Sequence, residues 1–189
     1  MSGVKTAGEI GVTIQADASA KAAHAAGLAM KSTYLFEAFD KDGNLKWREE
    51  QDNIVVNTGL DDILDTYFKG SGYTAAWYVG LINTTPTPLA GDTLASKAWA
   101  EVTAYSEGTR PALTLGAVAS QSVDNSASKA SYSINANSTV IGGAFLAKSS
   151  TKGETASLLY SAVAFTAADK SLDNGDTLNV TVTLTAASA

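Results

Sequence analysis

The sequence predicts a mainly β protein: an antiparallel β-sandwich, of jelly-roll or Greek-key type, with one amphipathic α-helix and an extended N-terminal arm. From residue 33 onwards, short apolar runs alternate with turn-forming residues, and only one segment has helical periodicity. The first 32 residues are rich in alanine and poor in large apolar side chains. Strands and helices do not alternate, which argues against a doubly wound parallel sheet. We therefore expect an arm over residues 1–32 and one β-sandwich domain over residues 33–189.

The N-terminal arm has too little apolar surface to hold a helix by itself. Residues 16–31 are mostly alanine, and a short stretch before them suits a strand. Two interpretations stay open: a mobile tail, or a segment that becomes ordered against a neighbouring subunit. The candidate partner-interface residues are the larger apolar side chains of the arm and one tryptophan of a later loop: Val12, Ile14, Leu28, Met30 and Trp99.

Three strands are expected between residues 33 and 56. Residues 34–39 form the first, and residues 40–44 (DKDGN) form the turn after it. In the second strand, Leu45 and Trp47 alternate with Lys46 and Arg48. Residues 53–56 form a short third strand. The turn resembles a calcium loop only superficially, because its glycine comes fourth rather than sixth and no helices flank it.

Residues 57–68 have the periodicity of an amphipathic helix. Asn57 or Thr58 suits its N-terminal cap, and Gly70 suits its end. We expect the apolar face of the helix to pack on the buried strand that follows it, residues 77–82. That face consists of Leu60, Ile63, Leu64, Tyr67 and Phe68.

The second half of the chain contains most of the predicted strands. A loop with Pro86 and Pro88 follows residue 82, and it includes a short strand near residues 99–102. Loops of this length usually cover a sheet or reach a partner. Further extended segments are expected at residues 110–115, 131–135, 139–146, 158–160 and 163–165. The clearest strand is residues 178–185, where large apolar residues alternate with Asn and Thr.

Composition argues against several classes of function. The formal net charge is -6 and the basic residues are scattered, so nucleic acid and anionic membrane surfaces are not expected partners. No apolar run approaches the roughly 20 residues of a membrane helix. The chain has no cysteine and a single histidine, His24, which excludes thiolate chemistry and any site that needs two imidazoles. No metal or cofactor site is predicted.

Two alternatives remain from the residues themselves. A glycoside hydrolase would need two facing carboxylates, and a carbohydrate-binding module would need exposed aromatic rings. The acidic helix residues lie opposite Leu60 on the helix, as a solvated face does, so we predict a protein that is not an enzyme. The carboxylate candidates are Glu49, Glu50, Asp52, Asp61, Asp62 and Asp65; the aromatic candidates are Trp47, Trp77, Tyr78 and Trp99.

The order of several segments resembles virion proteins of tailed bacteriophages, of the head decoration or cement type. The resemblance covers residues 33–187 and leaves the arm outside. Its segments are FEAFDKDGNLKW (36–47), NIVVNTGLDDIL (53–64), WYVGLI (77–82), TAYSEGTRP (103–111), SVDNSA (122–127) and IGGAFL (141–146).

The resemblance implies a function in assembly rather than catalysis. It implies a homodimer or homotrimer, made in the bacterial host cytoplasm, that binds the outside of the major capsid protein lattice and braces the head. A phage tail, fibre or baseplate protein is the alternative, since the same fold would serve there. The family has no catalytic residues to transfer to this chain.

Overall fold

The computed structural model describes residues 28–70, 72–73, 76–85 and 87–188. These residues form twelve strands, one α-helix that continues into a π-helical turn, and one 3-10 turn. The strands are β1 (Leu28–Phe39), β2 (Leu45–Asp52), β3 (Ile54–Val55), β4 (Tyr78–Ile82), β5 (Glu101–Val102), β6 (Ser122–Asp124), β7 (Ala130–Ser133), β8 (Thr139–Ile141), β9 (Gly143–Ala147), β10 (Leu159–Ala164), β11 (Lys170–Leu172) and β12 (Thr177–Ser188). The helical elements are α1 (Asn57–Ile63), the π-helical turn (Leu64–Phe68) and the 3-10 turn (Ser126–Ser128).

The strands pair in two larger sheets and one small sheet. The first sheet has the order β2-β1-β12-β6, and β7 also pairs with β12. The second has the order β3-β10-β9-β4-β5, and β8 pairs with β11 separately. Every pairing among the described strands is antiparallel. The prediction of a mainly β, antiparallel fold with one helix is confirmed.

Side chains from both larger sheets share one apolar core. Alternate residues of β1 and β12 are buried, because successive side chains of a strand point to opposite faces. They pack with alternate residues of β4 and β9, such as Leu81 and Leu146, in a single cluster. Two polar links connect the sheets: the hydroxyls of Tyr34 and Ser161 lie 2.7 Å apart, and the Tyr132 hydroxyl donates to the Val79 carbonyl at 2.8 Å.

A second apolar cluster lies on the other face of the second sheet. Phe145 of β9 points into it, and the loop after β4 covers it with Leu94 and Trp99. The Trp99 ring lies 6.5 Å from that of Phe145, and Trp99 is only 4% exposed. The loop therefore covers the sheet, which is one of the two roles expected for it.

The strand boundaries differ from the expected ones in several places. β1 begins at Leu28, so residues 28–32, expected in the arm, pair with β12 along its last five residues. The apolar run 139–146 forms two strands, because at Gly142 the chain passes so close to Thr84 that a Cβ would overlap its backbone. Residues 110–115 form only an isolated bridge between Ala112 and Tyr78. Two short strands, β6 and β11, were not predicted. Residues 1–27 of the expected arm lie outside the described residues.

The helix begins where it was expected, but its contacts differ. Neither Asn57 nor Thr58 caps it; Val56 precedes it without a side-chain cap, and the Thr58 hydroxyl donates to the Leu159 carbonyl at 2.7 Å instead. Gly70 has a φ of 73° and follows the helical segment, as predicted. Ile63 packs on the core, whereas the other four residues of the predicted apolar face are exposed: Leu60, Leu64, Tyr67 and Phe68.

Candidate functional site

The first half of the helical segment lies directly on β10. Gly59 is buried there, and a Cβ at this position would overlap the carbonyl oxygen of Tyr160. The Val56 amide donates to the same carbonyl at 3.0 Å. Because Gly59 and Ile63 lie one turn apart, the contact face of the helix is centred on them. This explains why the wider apolar stripe predicted from periodicity does not all point into the core.

The second half of the segment projects from the sheets. A hydrogen bond from the Lys69 amide to the Leu64 carbonyl, 3.3 Å long, closes a π-type turn. Within this turn Leu64 is 56%, Tyr67 80% and Phe68 68% exposed, and the two rings pack edge to face at 5.0 Å. We call Leu60, Leu64, Tyr67 and Phe68 the helix-end patch. Contiguous exposed apolar surface of this kind usually marks an interaction site.

Beside the patch, an apolar groove opens between the ends of the two larger sheets. Its volume is about 450 Å³. The first sheet contributes side chains of β1 and β12, the second contributes β9 and β10, and the helical segment forms one wall. The residues that define it best are Met30, Ile63, Tyr67, Trp77, Leu115 and Leu184.

One ion pair stands at the edge of the groove. The Lys148 ammonium donates to the Asp62 carboxylate at 2.5 Å, and it lies 5.2 Å from the centre of the Trp77 ring and 5.9 Å from that of Tyr73. Burial raises the pKa of the Tyr160 phenol beneath them, and the negative charge of Asp62 raises it further. The groove is thus apolar inside, with one paired cation and anion at its rim.

Among the predicted interface residues that the structure describes, Met30 lines this groove. Val12 and Ile14 lie outside the described residues, as does His24, and for Leu28 the structure describes the backbone pairing with Ser188. Trp99 is buried in the second apolar cluster, so its side chain is not presented to a partner here.

Five of the six carboxylates considered for catalysis take part in ion pairs or hydrogen bonds, and the sixth, Asp61, is exposed. Asp62 faces Lys148 and is mostly buried, so the expectation that it lies on a solvated face is wrong. Glu49 lies 3.3 Å from Lys170, and Asp65 lies 2.5 Å from Lys69. Within the described part of the chain, no cluster of three or more His, Cys, Asp or Glu side chains could hold a metal ion.

The tryptophans considered for sugar stacking are dispersed. Trp47 packs edge to face on Phe165, and Trp99 packs near Phe145. Trp77 packs on Tyr160 and lines the groove. Sequence reasoning missed Tyr67, Tyr73 and Leu115 as groove residues, because they lie on three separate segments that only the fold brings together.

The groove is suited to bind apolar side chains of a peptide or protein partner. Pockets lined mainly by apolar and aromatic groups, with few polar groups at the rim, bind through burial and shape.

Among the described residues, no helix is long and apolar enough to cross a membrane. Comparisons with family models, curated proteins and solved structures found no match to this chain.

Proposed function

We propose that this protein is a non-enzymatic decoration protein of a tailed-bacteriophage head, which binds the outside of the major capsid protein lattice and stabilises the shell. Its fold would be a β-sandwich of jelly-roll or Greek-key type, assembled as a homodimer or homotrimer on the virion surface. The structural observation that supports a binding role is the helix-end patch. The phage assignment rests on the resemblance to virion proteins in the order of several sequence segments.

The residues of the helix-end patch are of the kind that form protein interfaces. Phe68 and Tyr67 are large, aromatic and mostly exposed, and such residues contribute strongly when a partner covers them. The helical segment that carries the patch contacts β10 through Gly59 at its other end. In a symmetric lattice, many copies of one modest contact sum to a strong attachment.

Cryo-electron reconstruction of particles that carry the protein tests its location. We expect density on the outside of the head, at junctions between capsomers, with the helix-end patch against the lattice. Density confined to the tail would overturn the head assignment in favour of a tail, fibre or baseplate protein. Absence from the particle would overturn the virion proposal as a whole.

Patch variants test the binding surface directly. The double variant L64S/F68S should bind to heads that lack the protein at least about tenfold more weakly than the unaltered chain does, because the anchors of an interface dominate its affinity. Leu45→Ser is the matched control, since Leu45 is 55% exposed but lies at the start of β2, outside the patch. Equal binding of L64S/F68S and L45S in co-sedimentation would exclude the patch as the lattice contact.

A carbohydrate-binding module is the second candidate, and the aromatic wall of the groove favours it. The Trp77 indole donates to the Tyr73 hydroxyl at 3.3 Å, and both rings line the groove. Retention of the protein on an immobilised polysaccharide, lost in Trp77→Leu but kept in Trp47→Leu, would support this candidate. Equal elution of all three chains at the void volume would exclude it for that polysaccharide.

A further inference from the structure

The ammonium group of Lys148 joins three segments of the chain. Lys148 directly follows β9, and its backbone amide donates to the Leu158 carbonyl at 3.1 Å. Its ammonium group lies 2.5 Å from the Asp62 carboxylate of α1, 5.2 Å from the centre of the Trp77 ring and 5.9 Å from that of Tyr73. A carboxylate and aromatic rings at these distances both attract an alkylammonium group.

Three of the four residues of the helix-end patch lie in sequence between these contacts. Leu64, Tyr67 and Phe68 follow Asp62 and precede Tyr73. One ammonium group therefore closes a loop around the turn that carries the three side chains. Closing a loop removes the conformations in which its ends are far apart.

The contacts of the first helical turn hold only the other end of the segment. Gly59 lies against the Tyr160 carbonyl of β10, and the Thr58 hydroxyl donates to the Leu159 carbonyl of the same strand. Ile63 adds an apolar contact with the core, which has no fixed direction. A second attachment, to the residue after β9, fixes the direction in which the helical segment leaves β10.

Burial makes this ion pair stronger than the one within the turn itself. The side chains of Lys148 and Asp62 are 30% and 14% exposed, so water and salt screen their attraction only in part. Lys69 and Asp65, by contrast, are 74% and 46% exposed, and pairs of that kind contribute little. The attachment through Lys148 is thus the ion pair that can hold the turn.

We propose that Lys148 is a positioning residue for the helix-end patch, and that its ammonium group holds the helix and the aromatic segment after it at one point. The turn between them is then presented to a partner in one orientation, so less order has to be gained on binding. The use of this orientation in binding rests on the proposed function, whereas the position of the turn is a property of the isolated protein.

Hydrogen exchange in the isolated protein, measured by NMR on the full chain, tests the position of the turn. The Leu64 amide donates to the Leu60 carbonyl at the end of α1, so its exchange reports local opening of the helical segment. The Val182 amide donates to the Asn125 side-chain oxygen at 2.7 Å and reports opening of the first sheet. In Lys148→Met, exchange at Leu64 should rise by about tenfold relative to exchange at Val182.

Two variants serve as controls. Lys152→Met changes a second lysine of the loop after β9, whose ammonium group lies 3.7 Å from the centre of the Tyr105 ring and donates to the Tyr105 carbonyl at 2.8 Å. This contact is of the same kind but does not involve the helix, so exchange at Leu64 should not change. Lys148→Arg keeps a charge that can pair with Asp62 and stack on an aromatic ring, so exchange should stay within about twofold of the unaltered rate.

The double variant D62N/K148M separates the attachment from the cost of an uncompensated charge. In K148M alone, the mostly buried Asp62 carboxylate loses its cation, which is itself unfavourable. D62N removes that charge but does not restore the link between the helix and Tyr73, so Leu64 should still exchange several-fold faster than in the unaltered chain. Full return to the unaltered rate in D62N/K148M would overturn the proposal, as would equal Leu64 exchange in K148M and K152M.

Binding to heads that lack the protein tests the consequence for a partner. If the turn holds its binding orientation for only about a fifth of the time in K148M, the affinity falls about fivefold, which is less than the loss expected for L64S/F68S. K148R and K152M should bind as the unaltered chain does. Faster Leu64 exchange in K148M with unchanged affinity would overturn the positioning role. Failure of the unaltered chain to bind heads would overturn the proposed function instead, and Leu64 exchange would still decide whether Lys148 holds the turn.

Discussion

Arg110 and Glu101 form a buried ion pair with two parallel hydrogen bonds. The guanidinium Nε and Nη2 donate to the two carboxylate oxygens at 2.8 and 2.7 Å, and the side chains are 0% and 5% exposed. Arg110 also donates to the carbonyls of Ser149 and Glu154, each at 2.9 Å, and it lies over the Phe145 ring. One side chain thus joins β5 to the loop that follows β9.

Removing Arg110 should destabilise the fold strongly. In Arg110→Met the carboxylate of Glu101 and two carbonyls stay buried without their charged donor, so we expect the free energy of unfolding to fall by about 3–5 kcal/mol. Urea unfolding followed by circular dichroism measures this. Arg48→Met is the control, because Arg48 is exposed and lies 3.9 Å from its acidic neighbours; it should cost about 1 kcal/mol or less.

The double variant E101L/R110M separates the ion pair from the packing. With both charges removed, no buried carboxylate remains uncompensated, and part of the stability lost in R110M should return. A loss in R110M no larger than in R48M would show that the pair does not hold these loops together.

Gly59 is expected to be necessary for the position of the helical segment. Replacing glycine by alanine inside a helix normally stabilises it by about 1 kcal/mol. At Gly59 the added Cβ would overlap the Tyr160 carbonyl oxygen, so the helix must shift away from β10. We therefore expect Gly59→Ala to lower the free energy of unfolding by about 1–3 kcal/mol.

The control for this prediction is Gly91→Ala. A Cβ on Gly91 would meet no heavy atom within 4 Å, and Gly91 does not have a positive φ. Its substitution should change stability little. Hydrogen exchange of the α1 amides should accelerate in G59A alone; unchanged exchange and unchanged stability would mean that the helix is not seated through Gly59.

The strands were predictable where one face is buried and the other is not. In β12, Leu178, Val180 and Val182 are buried, and these are the positions that alternation selected. The short strands β6 and β11 were missed because three residues are too few to establish a period. In the run 139–146 the glycines indicated a bulge or a close approach, and Gly142 does lie against the backbone of Thr84. The division of that run into two strands was not predicted, because Thr84 is distant in sequence.

The candidate site was less predictable than the fold. Periodicity identified the helical segment but assigned Leu64 and Phe68 to the core, since it assumes one continuous α-helix on a flat support. The contact face is instead centred on Gly59 and Ile63, and the segment ends in a π-helical turn that no feature of the local sequence predicts. The groove combines Met30, Trp77 and Leu115 from distant segments, and the pairing of Arg110 with Glu101 likewise depends on the tertiary fold.

The buried tyrosines predict that the protein loses stability in alkali. Burial raises the pKa of Tyr34, Tyr105 and Tyr132 above the usual value of about 10. As the pH rises past about 10, tyrosines of the unfolded chain release their protons, whereas the buried ones keep theirs. The unfolded state then binds fewer protons than the folded state, so the free energy of unfolding falls with pH, by up to about 1.4 kcal/mol per pH unit for each such tyrosine.

Tyr34→Phe tests the share of one residue in this pH dependence. The variant loses the hydrogen bond to Ser161 at every pH, which should cost about 1 kcal/mol. It also removes one phenol that keeps its proton in the folded state and releases it in the unfolded state. Its free energy of unfolding should therefore fall less steeply above pH 10 than that of the unaltered chain. Urea unfolding at a series of alkaline pH values measures both slopes, and equal slopes for Y34F and the unaltered chain would mean that Tyr34 ionises freely in the folded protein.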